Sequence, residues 1–393
     1  MSARRLLSGP LALVLVAGAA AAVPHAPRGN GAQGAERAAR EPREVSALLA
    51  PIRERHDVPA LAGAIVEGSS IVALGADGVR ERGREARVTA HDLFHLGSCT
   101  KAMTATLIAR LVEAKALRWE STVGGVFTDL APRMDPAWRE VTIEELLLHR
   151  AGAPADLDAG GLWKRLRESE AEPRQQRRML LEGVLARPPV GPPGTAFLYS
   201  NAGYAIAGAM AERAAGKAWE ELMRERLFEP LGMASAGFGP PGKPGALDQP
   251  VGHDRRGKPV GTGPKADNPA AIGPAGTVHA TLADWGRFVA AHLNGGRGGA
   301  RILSAKSFAK LHTPPPGAEP AYAMGWGVAQ RTWGGRVLTH SGSNTLWYCT
   351  VWIAPEKGFA VLVATNQGGD EAQRACDEAA LILIHARSAK PRD

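Results

Sequence analysis

The stretch TLWYCTVWIAPEKGFAVLVATN, Thr345–Asn366, contains two apolar runs rich in β-branched and aromatic residues, with a short polar segment between them. Runs of this kind joined by a tight turn predict neighbouring antiparallel strands. Two similar runs come before them, MGWGVAQ (324–330) and GRVLTH (335–340), again with short connections. The C-terminal third therefore predicts an antiparallel meander, which a helix over about 371–386 follows.

The first part of the chain predicts strands that complete the same sheet. Residues 45–56 have the apolar spacing of a helix, and LAGAIVEGSSIVALGADG (61–78) has the pattern of a hairpin. The intervening region is mostly helical, with segments at 98–117, 142–148, 201–217, 219–228 and about 282–293, and we expect Pro230 to end the fourth. The predicted fold class is α+β: an antiparallel sheet flanked by helices, with an inserted, mostly helical lobe.

These patterns set the expected domain boundaries. One domain is predicted over 44–393, with an α/β lobe formed by 44–92 and 270–393 and a helical lobe over about 93–269. A cleft between two lobes is a usual position for a binding site.

The N-terminal residues resemble an export signal. Arg4 and Arg5 precede the apolar run LLSGPLALVLVAGAAAA (6–22), and small residues follow. A membrane anchor is the alternative, but the run is broken early by Ser-Gly-Pro and is short for a spanning helix. We therefore predict a signal peptide over 1–26, a disordered linker over 27–43, no membrane span after cleavage, and a periplasmic or extracellular location.

Composition restricts the partners. The formal net charge is +8, but residues 1–43 alone contain six arginines against two glutamates. No dense run of lysine and arginine interleaved with aromatic residues occurs, so the sequence argues against nucleic-acid binding. For the oligomeric state, a monomer is the default expectation.

The cysteines are few. Cys99, Cys349 and Cys376 make an odd number, which does not form a disulfide scaffold. A bond between Cys349 and Cys376 is conceivable in an exported protein, but free thiols are favoured.

The segment FHLGSCTK (94–101) places Ser98 and Lys101 three residues apart at the start of a predicted helix. A serine hydroxyl becomes a good nucleophile when a neighbour takes its proton, and a desolvated lysine amine can do this. The spacing alone is weak evidence, because the chain repeats it at Ser307 and Lys310 on a predicted surface helix. His91 and His95 could instead suggest a metal site, but no other ligand motif accompanies them.

Two further motifs strengthen the first. Tyr199 and Asn201 lie in the segment YSN at the mouth of a helix, and His340, Ser341 and Gly342 end a predicted strand. A tyrosine relays protons when a nearby cation lowers its pKa, and an amide orients a carbonyl or a lysine. Gly342 lets an acyl group approach the backbone closely, where an N–H can stabilise an oxyanion.

The chain resembles the penicillin-recognising serine hydrolases, most closely the branch of class C β-lactamases, serine D,D-peptidases and related esterases. The segments FHLGSCTKAMTATLIARLVEAKAL, ELLLHRAG, PGTAFLYSNAGYAIAGAMAERAAGK, LFEPLGM, GWG and HSGSN carry this resemblance over about 45–385. It implies Ser98 as acylated nucleophile, Lys101 as its amine partner and Tyr199 as proton relay. The implied substrate contacts are Asn201, His340, Ser341, Gly342 and Ser343, with the N–H groups of Ser98 and Ser343 holding the oxyanion. No cofactor or metal is implied.

One position departs from the family pattern. Class C β-lactamases usually have lysine where this chain has His340, and a histidine is only partly charged near neutral pH. The resemblance therefore leaves open a β-lactam, a D-amino-acid peptide or a small ester as substrate. The alternative hypothesis is a catalytically weak or inactive module that binds cell-wall fragments, which would make peptidoglycan a partner.

Overall fold

The structure is a computed structural model that describes residues 41–263, 266–295, 297 and 302–388. The predicted signal peptide, 1–26, and residues 27–40 of the predicted linker lie outside the described residues. The strands are β1 (Arg43–Glu44), β2 (Ala60–Glu67), β3 (Ser70–Gly78), β4 (Phe94–His95), β5 (Gly237–Phe238), β6 (Val278–Ala280), β7 (Tyr322–Ala323), β8 (Trp326–Arg331), β9 (Gly335–Ser343), β10 (Tyr348–Ala354) and β11 (Phe359–Thr365).

The α-helices lie mostly between β3 and β7. They are α1 (Ser46–Arg55), α2 (Thr100–Glu113), α3 (Val123–Val126), α4 (Ile143–Leu147), α5 (Leu162–Glu168), α6 (Pro173–Leu185), α7 (Asn201–Ala215), α8 (Trp219–Met223), α9 (Glu229–Leu231), α10 (Gly273–Gly276), α11 (Leu282–Asn294), α12 (Ala305–Leu311) and α13 (Asp370–Ser388). None of the described helices is long and apolar enough to cross a membrane.

The main sheet joins the two ends of the domain, as the sequence predicts. Its strand order is β1-β3-β2-β11-β10-β9-β8-β7. The predicted hairpin, β2 and β3, pairs with the predicted meander through β2 and β11, which are antiparallel with Gly63 opposite Val363. Only the short β1 pairs in parallel, and it includes Arg43, the last residue of the predicted linker. The α+β fold class is confirmed.

Strand β11 shows why this sheet forms. Its side chains alternate between two apolar clusters: Phe359, Val361 and Val363 pack toward α1 and α13, whereas Leu362 and Ala364 belong to the larger core on the other face. Every residue of β11 is buried, as expected for a central strand covered on both faces. The sheet is therefore the fixed platform on which the helical region packs.

One predicted helix end is wrong. The helix expected to end before Pro230 continues through it, because α8 passes into a five-residue π-helical segment, Arg224–Phe228, and then into α9. Proline lacks an N–H, which costs nothing at the start of a new helical turn, where that group has no partner. Gly232, with φ 66°, ends the helix instead.

Two elements place the S-x-x-K segment. Strand β4 pairs with β6 and leads into a 3₁₀ turn at Gly97–Cys99, which α2 continues. A capping box begins α4, where Thr142 and Glu145 exchange hydrogen bonds. The division of the domain into two lobes at residues 93 and 270 stays a prediction.

Candidate active site

Ser98 and Lys101 face each other across one helical turn. The Lys101 Nζ atom lies 3.1 Å from the Ser98 Oγ atom, within hydrogen-bond distance. Lys101 is completely buried, whereas Ser98 is partly exposed. The pair therefore combines a desolvated amine with a hydroxyl that a substrate can reach.

The amine has two further partners. Lys101 Nζ donates to Asn201 Oδ1 at 2.8 Å and to the carbonyl oxygen of Ala275 at 2.8 Å. Asn201 is the first residue of α7, and its side chain is available because Ser200 caps that helix by accepting from the Gly203 N–H. These contacts aim the amine at the serine.

Burial changes the acidity of the amine. Loss of hydration disfavours the charged form and lowers the pKa of Lys101 from 10.5 to about 7, although proximity to Cys99 opposes the change. Its hydrogen-bond partners, the Ser98 hydroxyl, the Asn201 amide oxygen and the Ala275 carbonyl oxygen, are all uncharged. Near neutral pH, a large fraction of Lys101 is thus an uncharged amine that can accept a proton.

The ring of Tyr199 lies next to the Lys101 amine. Its ring centroid is 4.7 Å from Lys101 Nζ and 6.5 Å from the ring of His340. Burial raises the pKa of Tyr199, and a hydrogen bond with Ser98 only partly opposes this. The burial of the phenol thus shifts its pKa in the direction opposite to the lowering by a nearby cation that the motif suggested. At neutral pH Tyr199 is a phenol that donates hydrogen bonds.

The end of β9 presses against the 3₁₀ turn that carries Ser98. A Cβ atom on Gly342 would lie 2.1 Å from the Leu96 carbonyl oxygen and 2.9 Å from the Ser98 nitrogen. Conversely, Gly97 has φ +46°, and a Cβ there would lie 2.4 Å from the Ser343 nitrogen. Only glycine permits both approaches, so the backbone nitrogens of Ser98 and Ser343 flank one small space.

The His340 ring uses both nitrogens on protein partners. Its Nδ1 atom is 2.6 Å from the Ser341 carbonyl oxygen, and its Nε2 atom is 3.2 Å from the Tyr322 hydroxyl. A carbonyl only accepts, so Nδ1 carries a proton, whereas the Tyr322 hydroxyl can either donate to Nε2 or accept from it. The Ser341 hydroxyl donates to Thr350 Oγ1 at 3.2 Å, so its contact with substrate stays a prediction.

The second S-x-x-K pair has a different environment. Ser307 and Lys310 lie on α12, which Ser304 caps, and the Ser307 hydroxyl donates to Glu113 at 2.5 Å. Lys310 is partly exposed and forms an ion pair with Glu144. This pair therefore has an ordinary role on the surface.

The structure also adds residues that sequence reasoning missed. Tyr322, from the segment before β8, reaches His340, and the buried His149 ring lies 4.3 Å from the Tyr199 ring and 5.0 Å from that of Tyr322. His149 Nδ1 accepts from the Ser200 N–H, which fixes the backbone beside Tyr199. The only available signal was the segment ELLLHRAG, which includes His149 but assigns it no role.

The remaining candidates from the sequence are the three cysteines and the pair His91 and His95. The three cysteines are buried and unpaired, so the conceivable bond between Cys349 and Cys376 is absent. His95 contacts Asp267 rather than the exposed His91. Among the residues that the structure describes, no group of three or more His, Cys, Asp or Glu side chains could hold a metal ion.

A buried lysine beside a serine at a helix start, packed against the end of an antiparallel strand, defines a serine hydrolase of the penicillin-recognising class. The family model named Beta-lactamase matches residues 45–386, and the chain belongs to that family. It is thus a member of the superfamily of penicillin-binding proteins, β-lactamases and esterases.

Individual relatives agree. Penicillin-binding protein 4 of Amycolatopsis lactamdurans is 33% identical over 335 residues, which cover 81% of this chain and 83% of that protein. The octameric penicillin-binding protein homologue from Pyrococcus abyssi has a TM-score of 0.70 at 22% identity, covering 86% of this chain and 76% of its own. D-alanine carboxypeptidase AmpC from Burkholderia cenocepacia has a TM-score of 0.69 at 22% identity, covering 87% and 97%.

At these identities the two solved structures show the fold alone. Since one of them is octameric, the monomeric state expected for this chain stays a prediction.

Proposed function

We propose that this protein is an exported serine hydrolase that forms an acyl-enzyme at Ser98. The observation that carries the proposal is the Lys101 amine, completely buried, 3.1 Å from the serine hydroxyl and with its pKa lowered to about 7. Such an amine is matched to proton transfer near neutral pH.

In the first half-reaction, the Ser98 hydroxyl attacks the acyl carbon while Lys101 takes its proton. The carbonyl oxygen becomes an oxyanion, and the N–H groups of Ser98 and Ser343 donate to it. Collapse of this intermediate breaks the bond to the leaving group, which receives a proton from Lys101 through Tyr199. As a neutral phenol hydrogen-bonded to Ser98, Tyr199 serves as relay rather than as base.

In the second half-reaction, water attacks the acyl carbon and gives its proton to the neutral Lys101 amine. A second oxyanion forms in the same place and collapses, so that the bond to Ser98 Oγ breaks. The proton returns to the serine oxygen, and the free acid leaves. Asn201 and the Ala275 carbonyl hold the amine in place through both steps.

The environment of His340 bears on the substrate. A permanent cation at this position would help to bind a substrate carboxylate, but both nitrogens of this ring already have protein partners, the Ser341 carbonyl and the Tyr322 hydroxyl. We therefore propose D-amino-acid peptides or small esters ahead of β-lactams as substrates.

Labelling tests the acyl-enzyme. The purified protein is treated with a fluorophosphonate probe or a fluorescent penicillin, and the modified peptide is identified by mass spectrometry. We expect one adduct on Ser98, none in Ser98→Ala, and full labelling in Ser307→Ala, the matched control at the second S-x-x-K pair. Equal labelling of wild type and Ser98→Ala would refute the proposal.

Parallel turnover assays address the substrate and the alternative. Nitrocefin, short-chain p-nitrophenyl esters and D-Ala-D-Ala peptides are compared, with Ser98→Ala as the blank. The non-catalytic alternative predicts no turnover of any of them together with retained binding to cell-wall fragments. N-terminal sequencing of protein recovered outside the cytoplasm tests export and the predicted cleavage near residue 26.

A further inference from the structure

The proposed reaction does not use His95. This residue is completely buried and lies two residues before the start of the 3₁₀ turn that contains Ser98. Its Nδ1 atom accepts from the Gly97 N–H at 3.1 Å, and its Nε2 atom is 2.8 Å from Asp267 Oδ2. An N–H can only donate, so Nδ1 has no proton and Nε2–H donates to the carboxylate. The tautomer of His95 is therefore fixed by its two partners.

Asp267 continues this chain of hydrogen bonds to the other side of the site. Its Oδ1 atom accepts from Asn344 Nδ2 at 2.9 Å and from the Asn268 N–H at 2.7 Å. Asp267 and Asn344 are both 6% exposed, so water competes little for these bonds. Asn344 in turn accepts from the Leu346 N–H through Oδ1 at 3.1 Å.

We call the hydrogen-bonded chain of His95, Asp267 and Asn344 the bridge. Its two ends contact the two backbone segments that flank the proposed oxyanion pocket. Gly97, held by His95, directly precedes Ser98, and Asn344, held by Asp267, directly follows Ser343. The separation of the two segments is critical, since a Cβ on Gly97 would already lie 2.4 Å from the Ser343 nitrogen. A bridge of buried side chains that links these neighbours fixes how far apart the two N–H groups lie.

We propose that His95, Asp267 and Asn344 are positioning residues that set the geometry of the oxyanion pocket. The inference rests on the proposed acyl-enzyme function and extends it to side chains that touch neither substrate nor reacting atoms. Preorganised donors act on the transition state more than on bound substrate. Loss of the bridge therefore lowers kcat and leaves KM nearly unchanged.

Asp267→Asn tests this with a minimal change of shape. An asparagine has one acceptor oxygen where the carboxylate has two, and three donors converge on it: His95, Asn344 and the Asn268 N–H. If the new amide nitrogen faces His95, the ring must accept at Nε2 and carry its proton on Nδ1, against the Gly97 N–H. If the amide nitrogen instead faces Asn344, the hydrogen bond to Asn344 is lost. In either orientation the bridge is broken at one of its ends.

We expect Asp267→Asn to lower kcat for a p-nitrophenyl ester by about 10- to 100-fold, less than the about 10²- to 10³-fold that removal of a whole oxyanion donor costs. KM should stay within about threefold, and affinity for a boronic acid, whose serine adduct is a tetrahedral anion, should fall in parallel with kcat. Asn344→Ala cuts the bridge at its far end and should give the same pattern if Asp267→Asn does not fold.

His292→Asn is the matched control. His292 is also buried, 1% exposed, with Thr106 and His312 as partners in the packing between α2 and α11. Its loss should lower thermal stability without changing kcat per folded molecule. If it lowers kcat as much as Asp267→Asn, the effect is general destabilisation and the positioning proposal is wrong.

Amide hydrogen exchange gives a readout that needs no activity. In Asp267→Asn, exchange should rise in peptides covering 94–99 and 342–346 and stay unchanged in β11. Unchanged exchange in the first two segments, or unchanged kcat, overturns the proposal. If the wild type forms no adduct on Ser98, the proposed function fails, and the exchange data alone decide whether the bridge holds the two segments.

Discussion

The acidity of Lys101 gives the sharpest prediction, and Asn201→Asp is the perturbation. With its pKa lowered to about 7, about three quarters of Lys101 is neutral at a pH of about 7.5, against about one molecule in a thousand for an ordinary lysine of pKa 10.5. Burial thus raises the fraction of lysine in the neutral, basic form about 10³-fold. We expect kcat/KM to rise with pH to a plateau, with its midpoint near 7.

Asn201→Asp places a carboxylate where an amide oxygen now lies 2.8 Å from the amine. An adjacent opposite charge stabilises the ammonium and shifts a pKa by about 1 to 3. The midpoint should therefore move up to between about 8 and 10. For a rise of about 2, the rate at a pH of about 7 should fall about 50-fold and recover toward pH 9.

The assay is steady-state hydrolysis of a p-nitrophenyl ester between about pH 5.5 and 10, with release of the acyl product followed by chromatography where the phenol absorbance varies. Asn201→Ala is the control, because it removes the same hydrogen bond without adding charge and should not raise the midpoint. Lys101→Arg should be inactive at every pH, since a guanidinium stays charged. An unmoved midpoint in Asn201→Asp, or a flat wild-type profile, would refute the assignment of Lys101 as base.

Three other outcomes follow from the same structure. Gly342→Ala should abolish labelling of the nucleophile, because the new Cβ would lie 2.1 Å from the Leu96 carbonyl oxygen; wild-type labelling rates would contradict this. Ellman's reagent should titrate no thiol in the native protein and three after unfolding, as all three cysteines are buried and unpaired. Burial lowers the pKa of His312 from 6.5 to about 3, so between these values the unfolded state binds more protons, and the free energy of unfolding should decrease as the pH is lowered from about 6.5 to about 3; a urea midpoint constant over that range would be inconsistent with this.

The fold was largely predictable because its signals are local. Alternating apolar residues and short turns are enough to predict β8 to β11, and the hairpin of β2 and β3 has the same pattern. The helix end at Pro230 was predicted wrongly, because a π-helical segment upstream lets the proline begin a new turn. A single residue's propensity does not reveal the geometry of the turn before it.

The candidate site was predictable only in part. Its motifs could be found from their order along the chain and from the family resemblance. Sequence reasoning could not find Tyr322 or the bridge residues Asp267 and Asn344, because their partners are not close neighbours along the chain. For example, 172 positions separate His95 from Asp267. No spacing rule connects such residues; only the paired strands and packed helices bring them together.

The sequence by itself determined the sheet, the order of the motifs and the family. The spacing alone did not distinguish the pair Ser98–Lys101 from the pair Ser307–Lys310; the other motifs and the family resemblance favoured Ser98. The tertiary structure decides between them: one lysine is completely buried among neutral hydrogen-bond partners, and the other pairs with a carboxylate. The physical reason is that the charge of an amine depends on its solvation and neighbours, which the folded chain alone supplies.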